Sequence, residues 1–166
     1  MIDDEKRWLI ALISDTGMRL AEAVGLHIGD IKINGEISFL RVQKHPWRSL
    51  KTSGSERDIP LVGASLWAAK RIVEQGSQFA FPTYANANKC SANSASGALN
   101  KWLKSRVPEG CVIHSFRHSL RDRLRAVECP PDIADAIGGW CSSGVGQKYG
   151  VGFSIEHKHC WLKKLI

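Results

Sequence analysis

The sequence predicts an α+β fold that is mostly α-helical: a single domain with a small three-stranded antiparallel sheet near its N-terminal side. Three observations carry that expectation. Apolar residues recur at three- and four-residue spacings over residues 4–15 and through most of the chain after residue 64, as one face of a helix requires. Asn34-Gly35 falls between two β-prone runs in "DIKINGEISFLRVQ", a strong hairpin signal. A further strand pair, "SLK" and "RDIPL", flanks the turn "TSGS", which puts Pro60 at a strand end or a sheet edge.

The helices follow in order. Residues 4–15, "DEKRWLIALISD", carry acids in the first turn, where they suit the helix dipole. Gly17 breaks that helix, and a second runs from about Arg19 to Leu26 with Leu20, Ala23 and Val24 inward. Beyond the sheet, a helix spans Ala64 to about Gln75, and another lies within "SANSASGALNKWLKSRV", most securely from Ser96 to Arg106. "HSFRHSLRDRLRAV" forms a third and stops before Pro130-Pro131. "PDIADAIGG" is a fourth with Pro131 near its first turn. A short helix over Ser143 to Tyr149 and a weakly amphipathic tail, "SIEHKHCWLKKLI", complete the expectation. No repeat, low-complexity run or long linker divides the 166 residues, a length that suits one domain with a real core.

Composition narrows the function. Lys and Arg outnumber Asp and Glu by 23 to 16, a formal charge of +7 that suggests a polyanionic partner. The five cysteines (Cys90, Cys111, Cys129, Cys141 and Cys160) are odd in number and scattered, so reduced thiols in a cytosol-like compartment fit best. "MIDDEKRW" does not resemble a signal peptide, and no apolar run approaches the length of a membrane span. The expectation is a cytoplasmic protein that does not engage membranes.

The residues that could do chemistry are few. "CVIHSFRHSLRDRL" sets His114 and Arg117 three apart at a helix entry, on one face and beside free backbone N–H groups, which makes a phosphate site. Taken alone, the pair also reads as polar residues bonded to local carbonyls. Arg19 and Glu22 share the spacing and read as an ordinary surface ion pair. Lys51 before "TSGS" reads as a solvated turn lysine, Trp140 after Gly138-Gly139 as a core plug, and Tyr149 as a surface phenol. His157, His159 and Cys160 have no closed metal-ligand spacing and read as a solvated tail. Arg121, Arg123 and Arg125 read either as contacts to a nucleic-acid backbone or as cover for the outer face of their helix, and stay outside the site; His118 reads as a support to the motif or as structural.

Their order changes that reading. "TGMRLAEAVGL", "LKTSGSERDIPL", "HSFRHSLRDRL", "AIGGW" and "KYG" occur in sequence, with Trp140 23 residues beyond Arg117 and Tyr149 nine beyond Trp140. The set resembles the tyrosine recombinases, the phage integrase family, over roughly residues 5–150. The resemblance implies that residues 1–166 are the catalytic domain, with the family's N-terminal core-DNA-binding domain absent. It implies a site-specific recombinase of phage or mobile-element type that cleaves and rejoins double-stranded DNA through a 3′-phosphotyrosyl intermediate. No metal, cofactor or ATP is implied. Arg19 and Arg117 would clamp the scissile phosphate, and Lys51 would protonate the leaving 5′ oxygen. His114 would assist proton transfer, the Trp140 indole N–H would donate to the phosphate, and Tyr149 would be the nucleophile. Glu22 would brace the Arg19 helix. Self-association on DNA as a tetrameric synapse, through the C-terminal tail, is implied too. Two alternatives stand beside it: a catalytically silent DNA-binding remnant of a prophage integrase, and a type IB topoisomerase-like strand transferase.

The residue types suit that chemistry on their own terms. Phosphoryl transfer is mostly positioning and charge stabilisation, so a site without metal must supply cations itself. Paired guanidiniums do so with fixed bidentate geometry. They also favour tyrosinate, and an alkoxide leaving group needs an acid.

Overall fold

The structure is a computed structural model that describes residues 3–52, 55–140 and 152–166. Asp4 opens the first helix, α1 (Glu5–Thr16), by accepting from the Arg7 backbone N–H at 3.0 Å. Gly17 closes it in the left-handed region at φ +61°, where an L side chain is strained. A short helix, α2 (Leu20–Val24), follows at once. The sheet comes next, as β1 (Ile31–Lys32), β2 (Phe39–Val42) and β3 (Arg57–Pro60). Then come α3 (Gly63–Glu74), a small hairpin of β4 (Ala85–Asn86) and β5 (Lys89–Cys90), and α4 (Ala92–Leu103). The site helices α5 (Ser115–Ala126) and α6 (Pro131–Gly138) precede the last described helix, α7 (Ile155–Lys163).

The α+β expectation holds, with a three-stranded antiparallel sheet in the order β1-β2-β3. Leu40 and Val42 pair in register with Ile59 and Arg57, and Leu40, Val42 and Ile59 are all buried. On the outer face Arg41 meets its cross-strand partner Asp58 at 2.9 Å. Asn34-Gly35 does connect β1 to β2, through a loop wider than a two-residue turn.

One strand differs from expectation. "SLK" is not the partner of "RDIPL"; β3 pairs with β2 instead, and residues 43–56 loop out between them. His45 and Arg48 bond each other's backbones at 3.1 Å around Pro46-Trp47, which turns the chain before "SLK" can extend. Pro60 ends β3 at the sheet's edge, as its missing N–H requires. The helix over 92–103 begins four residues earlier than Ser96, and the β4–β5 hairpin has no counterpart in the sequence reading.

The core is continuous. α1 packs on α3 and α5 through Leu9, Leu12 and Ile13, all buried, with Ile72 and Leu120 among the facing side chains buried with them. The tail folds back on its own chain: α7 packs on β3 and α6, with Leu162 fully buried and the Lys158 ammonium donating to the Asp58 carbonyl. The helix expected at Ser143–Tyr149 lies outside the described residues. Among the described residues, no helix is long and apolar enough to cross a membrane.

Candidate active site

The site grows from one buried carboxylate. Glu22, 2% exposed, sits at the third position of α2, where its Oε2 accepts from the Arg19 backbone N–H at 3.0 Å. That is half of a capping box, so the same contact that starts α2 also fixes Arg19. The other contacts of Glu22 are charged. Its Oε1 takes Arg19 Nη1 at 2.8 Å and its Oε2 takes Arg57 Nη2 at 3.0 Å. Burial alone would push the Glu22 carboxyl up. The Arg57 guanidinium and the bonds from Arg19 outweigh it, and the group stays below the usual glutamate range.

Arg19 and Arg117 arrive from helices about 100 residues apart and converge on one turn. Gly139 caps α6 in the left-handed region at φ +62°, and its carbonyl accepts from Arg19 Nη2 at 3.1 Å and Arg117 Nη2 at 3.5 Å. Arg117 Nη1 donates to the carbonyls of Gly17 and Gly138. Arg57 Nε reaches the Ile137 carbonyl at 2.9 Å. A Cβ on Gly139 would stand 2.7 Å from Arg57 Nη1, so the turn needs glycine for space as well as for its φ.

The electrostatics are lopsided. Arg19 and Arg57 share the Glu22 carboxylate, while Arg117 is hydrogen-bonded to backbone carbonyls. Arg117, 4% exposed, is pushed down to about 10, first by burial and then by Arg19 and Arg57. His114 is held below the usual histidine range by burial, then by His118, Arg117 and Arg19. The residue is exposed at the surface and borders a pocket of about 150 Å³ whose other walls include Ile13, Met18, Leu20 and Ile113. His118 packs edge-on against the His114 ring, with ring centroids 4.9 Å apart. The arrangement is a cationic hollow, and an anion would relieve it.

Trp140 follows the glycine turn, its backbone N–H held by the Asp135 carbonyl at 3.1 Å. The Arg117 Cζ lies over its ring at 4.7 Å, and the Arg121 Cζ at 5.0 Å. Arg121 also pairs with Asp135 at 3.2 Å. Sequence reasoning left Arg121 on an outer face; it is a contact of Trp140, and its i, i+4 spacing from Arg117 was the signal. Arg57 was missed as well, hidden in a strand motif. Lys51 is exposed in the loop before β3. Ser55, fully buried, joins that loop to Arg19 Nη1 at 3.4 Å. The structure thus gathers Arg19, Glu22, Arg117 and Trp140, sets His114 at the entry of the same helix as Arg117, and leaves Lys51 on the adjoining loop. Tyr149 lies outside the described residues.

A small sheet beside a helical body, with an arginine from α2, an arginine from α5 and the glycine turn after α6, defines the catalytic-domain fold of the tyrosine recombinases. The chain belongs to the phage integrase family, whose model matches residues 2–150. Among solved structures it is similar to the Tn1549 transposon integrase in complex with transposon right-end DNA, with a TM-score of 0.61 and 18% identity. It is similar also to the XerH site-specific recombinase bound to palindromic difH substrate (0.62, 17%) and to the XerA recombinase (0.58, 16%). These matches cover 95%, 86% and 97% of this chain but only 58%, 42% and 57% of those chains, so it spans about half their length. No protein of curated function matches the chain.

Proposed function

We propose that the chain is the strand-transfer unit of a site-specific DNA recombinase, cleaving and rejoining double-stranded DNA through a 3′-phosphotyrosyl link. The observation that carries this reading is the convergence of Arg19 and Arg117 on the Gly139 carbonyl, where among the described residues Glu22 pairs with Arg19 and no carboxylate pairs with Arg117. Two guanidiniums brought together on one acceptor can match the non-bridging oxygens of a phosphodiester.

The roles follow from that placement. Arg19 and Arg117 bind the scissile phosphate, and the indole N–H of Trp140 donates to it. Tyr149 attacks phosphorus; its proton leaves the phenol, and the P–O bond to the 5′ oxygen breaks. Lys51 gives that oxygen a proton. His114, kept neutral by its surroundings, handles the tyrosine proton and orients the phosphate. The phosphotyrosyl bond conserves the energy of the bond broken, so rejoining needs no ATP, and the cations of the site replace a metal. Copies assemble on DNA as a tetrameric synapse. The tail, which packs on β3 of its own chain, is the segment available to pass between them.

The test is a trap. The protein is incubated with nicked duplexes whose core is randomised, and covalent adducts that survive detergent are recovered without added Mg²⁺. Adducts are expected from the wild type and none from Tyr149→Phe. A chain that binds duplex yet yields no adduct from any core sequence would be a silent DNA-binding module.

A further inference from the structure

The loop between β2 and β3 is bound to α2 by more than the sheet requires. We propose that Arg48, with Trp47 holding the same turn, is a positioning residue for Lys51: it ties the loop that carries the general acid to the helix that carries the Arg19 clamp. The inference rests on the reading of Lys51 given above and adds a second residue to it.

The contacts are specific. Arg48 is 2% exposed, and its Nη1 donates to the Glu22 backbone carbonyl at 2.7 Å while its Nη2 donates to the Gln43 carbonyl. Glu22 therefore anchors Arg19 with its carboxylate and the Lys51 loop with its carbonyl. One residue is the reference point for both the phosphate clamp and the acid. Trp47 adds a second tie, from Nε1 to the Gly25 carbonyl at 3.0 Å, at the far end of the same short helix. Its ring stacks on His45 at 4.5 Å and meets Phe79 edge-on at 5.0 Å. His45 is in turn held to the buried Asp30 carboxylate at 2.8 Å, which Gln43 also reaches at 2.7 Å.

Distance along the chain turns these ties into a constraint. Lys51 is three residues beyond Arg48 and four before Ser55, and both ends are buried. At roughly 3.6 Å per residue its Cα stays within about 11 Å of the Arg48 Cα and about 14 Å of the Ser55 Cα. The lysine is exposed, yet its backbone is tethered on both sides to contacts of Glu22 and Arg19.

The choice of arginine supports a role beyond filling space. The Arg48 Nε is buried with no hydrogen-bond partner among the described residues, and burial pushes the guanidinium down despite Asp30 and Glu22 nearby. A methionine would occupy the same volume without stranding a donor. Gly25 is shaped to admit this side chain: a Cβ there would stand 2.5 Å from Arg48 Cδ.

The experiment separates positioning from folding. The whole chain is tested on two forms of the trapped substrate, one with the ordinary phosphodiester and one with a 5′-bridging sulfur, whose thiolate leaves without a proton. Lys51→Ala is expected to be slow on the first and close to wild type on the second. Arg48→Met is expected to show the same pattern, about 10- to 100-fold slow on the phosphodiester and restored by sulfur. Trp47→Phe, which keeps an aromatic ring but loses the indole N–H and part of the ring area, shows it more weakly and serves where Arg48→Met does not fold. Arg48→Met and Trp47→Phe equally slow on both substrates, or unimpaired on the first, would overturn the positioning role while leaving Lys51 in place. Failure of sulfur to restore Lys51→Ala would overturn the reading of Lys51 and this proposal with it.

Discussion

Arg117 is a buried cation whose partners among the described residues are carbonyls, two of them on the glycine turn. Its folded value of about 10 still leaves it charged at neutral pH, so the hollow holds uncompensated charge that an anion stabilises. Millimolar inorganic phosphate is expected to raise the melting temperature of the wild type and not of Arg117→Gln, because only a ligand favouring the folded state shifts that equilibrium. Removing the counter-charge acts in the opposite direction. Glu22→Gln leaves Arg57 buried without its carboxylate and is expected to cost about 3–5 kcal/mol in denaturant unfolding. His114 contributes to the pH dependence, as does His159, which burial also holds down. The folded value of His114 lies below its ordinary one, so the unfolded chain binds its proton more tightly, and stability falls as pH drops below about 6.5. His114→Gln should flatten that part of the stability curve, and a phosphate in the hollow should reverse the shift and take up a proton on binding. At this scale the short motifs were legible as local geometry: Arg19 and Glu22 do pair across three residues, though buried rather than at the surface, and His114 and Arg117 do stand at the start of one helix. The sequence concealed Arg57, because a residue whose importance lies in a contact 35 positions away has no local signature, and it showed Arg121 only through a four-residue spacing from Arg117.

Among the elements, the joint between α1 and α2 does two jobs. Gly17 ends α1, gives its carbonyl to Arg117, and leaves room for Leu120, whose Cδ2 would lie 2.6 Å from a Cβ there. Gly17→Ala is expected to cost at least about 1 kcal/mol from the left-handed backbone alone, and more from the clash with Leu120. It should also weaken duplex binding, read by a gel-shift titration, because the acceptor and the arginine move together. Elements with strong local signals were legible: the capped α1, the proline-started α6 and the Asn34-Gly35 hairpin. The loop from 43 to 56 was not. Its turn is held by ring stacking and by bonds to α2, contacts that hydrophobic periodicity does not encode, so "SLK" looked like a strand. The β4–β5 hairpin, two residues a side, is too short to show an alternation.

For the molecule as a whole, α7 is the last layer over the sheet's open edge. Leu162→Ala is expected to lose about 2–5 kcal/mol, measured by thermal or denaturant unfolding, since the side chain is fully buried. A full effect would establish that the tail packs on its own chain in solution. The Gly138-Gly139 turn has a consequence for how the protein is made. Arg19 finds its acceptor 120 residues downstream and Arg57 finds its own 80 downstream. At roughly 5–20 residues per second of synthesis, Arg19 emerges about 6–24 s before the carbonyl it will bind. The cationic hollow is therefore among the last features to close, and until then a nascent chain carries its arginines open to any polyanion in the cell. A ribosome surrounded by RNA is where that exposure would matter most.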